Sequence, residues 1–283
     1  FEELGFDALQ SLLTLRQADL EHVVFMNVIE RDKVALHRGK GYQKGEEIRL
    51  REAANIRFID WAESLFEEGM EVGVYIVVGT MASEVLKAAE KEGSDLIVIG
   101  RPHRRSGLEF LYSGSAVTEL LRRSSVPVLV YKGMADNHYL LDKPFTRPLL
   151  ATDWAAASTR AVDYLKPLKN VIEKVHVMHV ADEKELSNTS SAMQIQKTRK
   201  VTRHKLEAIC DELEGSGIDA RPLIYIGNPE EEIERAAQEC KASMVVLGSS
   251  GRSAWAERWL GSTPRKFAEK SPYPTLLIPP AKA

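Results

Sequence analysis

The stretch GSSGRSAWAERWLGST (248–263) concentrates the residue types that could do chemistry. Glycines stand at 248, 251 and 261, and hydroxyls at 249, 250, 253, 262 and 263. Such a loop suits an anion. Glycine lets backbone N–H groups come close to phosphate oxygens. The helix predicted to start near Ser262 or Thr263, with Pro264 in its first turn, offers free N–H groups and the positive end of its dipole. Ser250, Ser262 and Thr263 add hydroxyl donors. Asp153, at the end of an apolar run, can accept a hydrogen bond from a ribose or help hold a divalent metal. It can equally serve as a plain helix N-cap, and the residue types leave both readings open.

Other chemistries find less support. The chain has no G-x-x-x-x-G-K-[ST], and no G-x-G-x-x-G follows a strand. GKGYQKG (39–45) reads as an ordinary polar loop without a preceding strand. His176 and His179 lie three apart in one strand, point to opposite faces and are expected to be structural. Trp255 and Trp259 are expected to pack over the sheet end or at a subunit contact. No motif implies a Ser/His/Asp arrangement or names a general base, so enzymatic activity, at most a weak ATP hydrolysis, is left open.

The elements that must position the loop are written twice. VVGTMASEVLKAAEKEGSDLIVIG (77–100) aligns without a gap on YIGNPEEEIERAAQECKASMVVLG (225–248), so Gly79 falls on Gly227 and Gly100 on Gly248, 148 residues apart. Gly114-Ser115 answers Gly261-Ser262 and Pro127 answers Pro274 at an offset of 147, which leaves one extra loop residue in the first copy. In the second copy, apolar runs at 147–152, 174–181, 221–227, 244–248 and 275–279 read as strands separated by helices. Ala161, Val162, Leu165 and Leu168 mark one helix face, and Leu206, Ile209 and Leu213 another. Asn228-Pro229 with Glu231 reads as a helix start. Continuous apolar strands alternating with helices predict an α/β fold with two tandem doubly wound parallel-sheet domains, strand order 3-2-1-4-5. The expected domains are 1–133 and 147–283, joined by a linker at 134–146. The first copy has strand candidates at 22–29, 72–79, 96–100 and 126–131 but no counterpart of RPLLATD. In a doubly wound sheet ligands bind outside the carboxyl ends of the strands where the order reverses, which here is between the strands ending at Asp153 and at Gly248.

Composition agrees with this frame. The 283 residues are 44% hydrophobic and 28% charged, enough for a core in each half, and the net charge of -3 gives no reason to expect nucleic acid or a membrane as partner. The basic run QKTRKVTRHK (196–205) is expected to be a solvated helix face. Cys210 and Cys240, both expected in helices, form no metal-ligand spacing, and no apolar run of about 18 residues occurs. The expectation is a cytoplasmic protein.

Together the motifs resemble the universal stress protein family. The resemblance is carried by Gly248-x2-Gly251-x9-Gly261-Ser262, the TD pair Thr152-Asp153, the HV pair His179-Val180, the G-x-P of Gly227 and Pro229, and the S-x-x-P of Ser271 and Pro274. It covers nearly all of both halves and implies a tandem member that binds ATP or AMP in its second domain as a stress-response module. By that resemblance adenine and ribose lie near Ala151, Thr152, Asp153, Val180 and Leu247. The phosphates lie on Gly248, Ser250, Gly251, Gly261, Ser262 and Thr263, with Mg2+ or Mn2+ on the phosphates and Asp153 a further candidate ligand. The weaker matching positions of the first half are Val28, Gly100, Gly114 and Ser115. There His103 replaces the glycine matching Gly251, so a degenerate site is expected, with Arg101, Arg104 and Arg105 either binding a phosphate by charge or forming an exposed basic loop. The resemblance also implies that the two halves pair through their last strands, 126–131 with 275–280, and leaves further homodimerisation open. Two alternative readings share these residues: an adaptor with vestigial pockets that works through a protein partner, and a slow ATPase.

Overall fold

A computed structural model describes residues 9–34, 42–101, 117–132, 143–181, 192–249 and 260–280. In the first repeat the chain runs through β1 (His22–Glu30), α1 (Lys44–Glu67), β2 (Glu71–Gly79), α2 (Met81–Glu92), β3 (Ile97–Arg101), α3 (117–123) and β4 (Val128–Lys132). The second repeat runs through β5 (Pro148–Ala151), α4 (Ala156–Leu165), β6 (Val175–Ala181), α5 (Ala192–Gly215), β7 (Ala220–Ile226), α6 (Pro229–Glu239), β8 (Met244–Gly248), α7 (Ser262–Lys270) and β9 (Thr275–Ile278). The expected strands are present with ends shifted by one or two residues. Cys240 lies just past α6 as its C-cap rather than within a helix.

The strands form a seven-stranded sheet, order β3-β4-β9-β8-β5-β6-β7, and a separate parallel pair β1-β2. The five strands of the second repeat are mutually parallel and take the predicted 3-2-1-4-5 order. At the seam β4 and β9 pair antiparallel, with Val128 opposite Leu277 and Val130 opposite Thr275, within the segments expected to join the halves. The strands of the first repeat are thus divided between two sheets. Among the described residues none stands between β1 and β3 as β5 does between β6 and β8.

The strands read as unbroken apolar runs because both faces are covered. Leu150, Val175, Val177 and Val246 face one layer, packed with Val162 and Leu165 of α4 and Leu206 and Leu213 of α5. Leu149, Met178, Val245 and Leu247 face the other, packed with Ile233 and Ala236 of α6 and Phe267 of α7. That second layer is continuous with Ala82, Ala89, Leu120, Ile97 and Val128 of the first repeat. β1 and β2 have a smaller core of their own, where Phe25 stacks on Phe58 at 5.5 Å. Of the expected linker, residues 134–142 lie outside the described residues, whereas Phe145 is fully buried and belongs to the core.

The repeat is legible in small devices as well as in topology. Ser124 and Ser271 each accept, on Oγ, the N–H two residues on, at 3.1 and 3.2 Å. The carbonyls of Pro127 and Pro274 then accept an N–H near the start of the neighbouring strand, from Ile97 and Val245, both at 2.9 Å. Gly93 closes α2 in the left-handed region (φ 62), and its counterpart Lys241 does the same after α6 (φ 52).

Candidate functional site

β5 is paired in parallel with β6 on one side and β8 on the other. Its crossover α4 packs on one face of the sheet, whereas α7, which follows β8, packs on the opposite face. The two connections therefore part at the carboxyl ends of β5 and β8 and leave a crevice, the general ligand position of a doubly wound sheet.

Three of the sequence-predicted residues meet there. Ala151 and Leu247 are register partners at the ends of β5 and β8, and Val180 stands one strand away near the end of β6. Alternation along the strands turns all three to the face covered by α6 and α7. They form an apolar floor at the crevice.

The next residues are held by a compact hydrogen-bond set. Thr152 is buried, and its N–H donates to the Met178 carbonyl at 2.9 Å. Its own carbonyl receives His179 Nδ1 at 2.7 Å. A carbonyl can only accept, so Nδ1 carries the proton and His179 is fixed in that tautomer. Thr152 Oγ1 receives the Trp154 N–H at 3.1 Å. Asp153 Oδ1 receives Ser158 Oγ at 2.7 Å and the Ala155 N–H at 3.1 Å. The N-cap position of α4 belongs to Ala155, so the plain N-cap reading of Asp153 is corrected: the carboxylate braces the turn from two residues outside the helix. Trp154 takes a left-handed backbone (φ 66), its ring 4.8 Å from that of His179 and under the Lys205 ammonium at 5.3 Å. This stack had no signal in the sequence, because it joins β6 and α5 to a loop far away along the chain. Ser158, which holds Asp153, was missed for a related reason, since a serine in an apolar helix face has no motif.

Gly248 has a reason the loop chemistry did not supply. A Cβ there would lie 2.9 Å from Ala157 Cβ and 3.1 Å from the Ser158 nitrogen, so the first turn of α4 sits directly on the glycine. Gly261 has extended backbone (φ -60, ψ 157) and is the N-cap of α7. Its N–H donates to the Ser249 carbonyl at 3.1 Å, and the Ser249 N–H donates to the Ile278 carbonyl at 2.8 Å. These bonds tie together the two ends of the loop beside the last strand. With glycine as the cap and no side-chain cap bond, the N–H groups of Ser262 and Thr263 form the uncapped end of α7; Pro264 has none. Ser250, Gly251, Trp255 and Trp259 lie outside the described residues.

His176 behaves differently from His179. It is half-buried, its Nδ1 has no hydrogen-bond partner, and burial, followed by the nearby Lys174 charge, holds its pKa below the ordinary 6.5. Among the described residues no group of three His, Cys, Asp or Glu is placed to hold a metal ion by itself.

Of the equivalent positions in the first repeat, the two that are described stand in different sheets. Val28 lies on β1 in the two-stranded sheet, and Gly100 on β3 in the seven-stranded one. Among the described residues, a Cβ on Gly100 would meet nothing within 4 Å, and none of their helices packs there as α4 does on Gly248. Arg101 ends β3, while His103, Arg104, Arg105, Gly114 and Ser115 lie outside the described residues.

Comparison with known proteins fits this architecture. The model of the universal stress protein family matches residues 3–132 and again 144–279. Universal stress protein MJ0577 of Methanocaldococcus jannaschii is 27% identical over 153 residues, spanning 47% of this chain and 94% of that protein. Universal stress protein YxiE of Bacillus subtilis is 27% identical over 150 residues, 47% of this chain and 99% of the relative. The crystal structure of a universal stress protein from Archaeoglobus fulgidus shares the fold across 100% of this chain and 94% of its own, with a TM-score of 0.75 at 22% identity. Two consecutive matches, two copies of the same local devices and a shared fold along the whole length make this chain a tandem member of the universal stress protein family.

Proposed function

We propose that the second repeat binds an adenine nucleotide, ATP or AMP, at the crevice between β5 and β8, and that occupancy regulates a stress response. The observation that carries this reading is the convergence of an apolar floor (Ala151, Val180, Leu247) with the uncapped end of α7 (Ser262, Thr263) at one switch point. The floor suits a purine ring. The helix terminus suits phosphate, since its N–H groups and dipole both favour an anion. Gly248, Ser250, Gly251 and Gly261 complete the phosphate loop in this reading, and Thr152 and Asp153 stand where the ribose would lie. Asp153 Oδ1 already accepts two donors, which presents the carboxylate in a fixed direction. A divalent cation, Mg2+ or Mn2+, would be held mainly through the phosphates.

Binding alone is sufficient for such a module, with a partner protein reading the bound state in the cytoplasm. The test is the nucleotide content of the purified full chain, released by denaturation and resolved by anion exchange. The expected result is about one adenine nucleotide per chain, by the single-site reading of the second repeat. Added ATP at about one hundred times its dissociation constant should then raise folding stability by roughly 2.7 kcal/mol, and Gly251→His should remove both signals. A content near two per chain would extend the activity to the first repeat. An empty protein whose unfolding is unmoved by ATP, ADP or AMP would sink the proposal and leave the adaptor reading.

A further inference from the structure

Outside the crevice, the two equivalent helices α1 and α5 carry opposite charge. α5 presents Lys197, Arg199, Lys200, Arg203 and Lys205, with no acidic residue before Glu207. Among its described side chains, Thr202 and Leu206 are the first that are buried, and residues 196–201 are exposed. Arg203 is paired with Glu207 at 2.8 Å and Lys205 lies over Trp154. Within this cationic face stands Val201, 49% exposed, with Lys197 and Lys205 one helical turn away on either side.

The last turns of α1 are the counterpart. From Phe58 to Glu71 the chain carries Asp60, Glu63, Glu67, Glu68 and Glu71 and no Lys or Arg. Of these, Glu68 is already paired with Arg16. On this helix Ile56, Ile59 and Phe66 are 65%, 47% and 75% exposed. Beside Phe66 a groove of about 750 Å3 is lined by Ala62, Met70 and Val72, with Glu63, Glu71 and His22 in its walls. An apolar groove walled by acids and an apolar side chain flanked by cations are complementary. They do not meet within one chain, since Phe66 and Val201 are both exposed.

We infer that the cationic face of α5 around Val201 docks into the acid-walled groove of α1 on a second copy of this chain. Burial of Phe66 and Val201 supplies the apolar part of the contact. The opposed charges supply steering and orientation. The inference is independent of nucleotide binding, because neither surface includes a residue of the crevice.

Sedimentation velocity on the full chain tests it. The wild type should show reversible self-association that weakens on raising salt from about 0.1 to about 1 M, where the screening length falls from about 10 to about 3 Å. Lys197→Glu/Lys200→Glu should raise the dissociation constant on the order of tenfold or more, and so should Glu63→Lys/Glu71→Lys. All four side chains are exposed, so far-UV circular dichroism and the urea midpoint should be unchanged. An equimolar mixture of the two charge-reversed proteins should associate again, because each reversed surface then faces its reversed complement. Phe66→Ser should weaken association in either salt. A wild type that stays monomeric throughout, or a dimer indifferent to salt and to both reversals, would overturn the inference.

Discussion

At the scale of single residues, the two repeats act as controls for each other. Gly93 and Lys241 occupy the same left-handed helix terminus, where L side chains are strained by roughly 1 kcal/mol and glycine is not. Lys241→Gly should therefore raise the unfolding free energy by about 1 kcal/mol in a urea titration, whereas Gly93→Lys should lower it similarly. His176 gives a pH prediction. Its folded pKa is depressed, so the folded state binds its proton less readily than the unfolded chain. The stability difference is absent above the ordinary value of 6.5 and grows as pH falls below it. His176→Gln should therefore flatten the decline in melting temperature from neutral pH into the acid range. An unchanged acid limb would show that other groups govern it. His179 donates its Nδ1–H to the Thr152 carbonyl at the end of β5. His179→Ala should loosen the end of β5, seen as faster amide exchange at Thr152 and Trp154.

At the scale of elements, the site depends on how closely α4 approaches β8. Gly248→Val would place a branched side chain where Ala157 and the Ser158 nitrogen already are. The expected cost is about 1–3 kcal/mol, together with displacement of the turn that holds Asp153. Gly100→Val in the first repeat is the matched control, since no described residue lies within 4 Å of its Cβ position. It should be near neutral in the same denaturation assay. Equal losses at the two positions would mean that α4 does not pack as described. The contrast also shows how one sequence feature, a glycine after an apolar strand, has different physical content in two copies of one fold.

At the scale of the whole molecule, the halves are joined by more than the β4–β9 seam. Arg160 of α4 donates to the carbonyls of Pro279 at 2.8 Å, Pro280 at 3.1 Å and, in the first repeat, Ser125 at 3.2 Å. Hydrogen bonds from a charged donor contribute about 1.5–3 kcal/mol. Arg160→Ala should thus cost on that order and speed amide exchange in both 128–132 and 275–278. Protection lost in only one of these segments would refute a role in joining the repeats. Leu12 and Leu15 pack into the core of the second repeat, and Asn170 donates to the Gln17 carbonyl at 3.2 Å, so the two repeats share structure well beyond the seam.

The sequence by itself determined what local rules and repetition can reach. The strand and helix order of the second repeat follows from continuous apolar runs, the Asn228-Pro229 start and the helical spacing of Leu206 and Leu213, all of which depend on neighbours a few residues away. The 148-residue offset set Val85 beside Ile233 and Gly100 beside Gly248 without any coordinates. The switch-point rule located the crevice between the strands ending at Asp153 and Gly248, whereas Ala151, Val180 and Leu247 came only from the family resemblance. Only the tertiary structure decided what arises between distant segments. Gly248 is a packing contact with α4, and Asp153 braces a turn through Ser158. Trp154 is held in left-handed backbone between His179 and Lys205, and the first repeat divides its strands between two sheets. Each of these depends on distances between parts of the chain far apart in sequence, and no periodicity or motif records such distances.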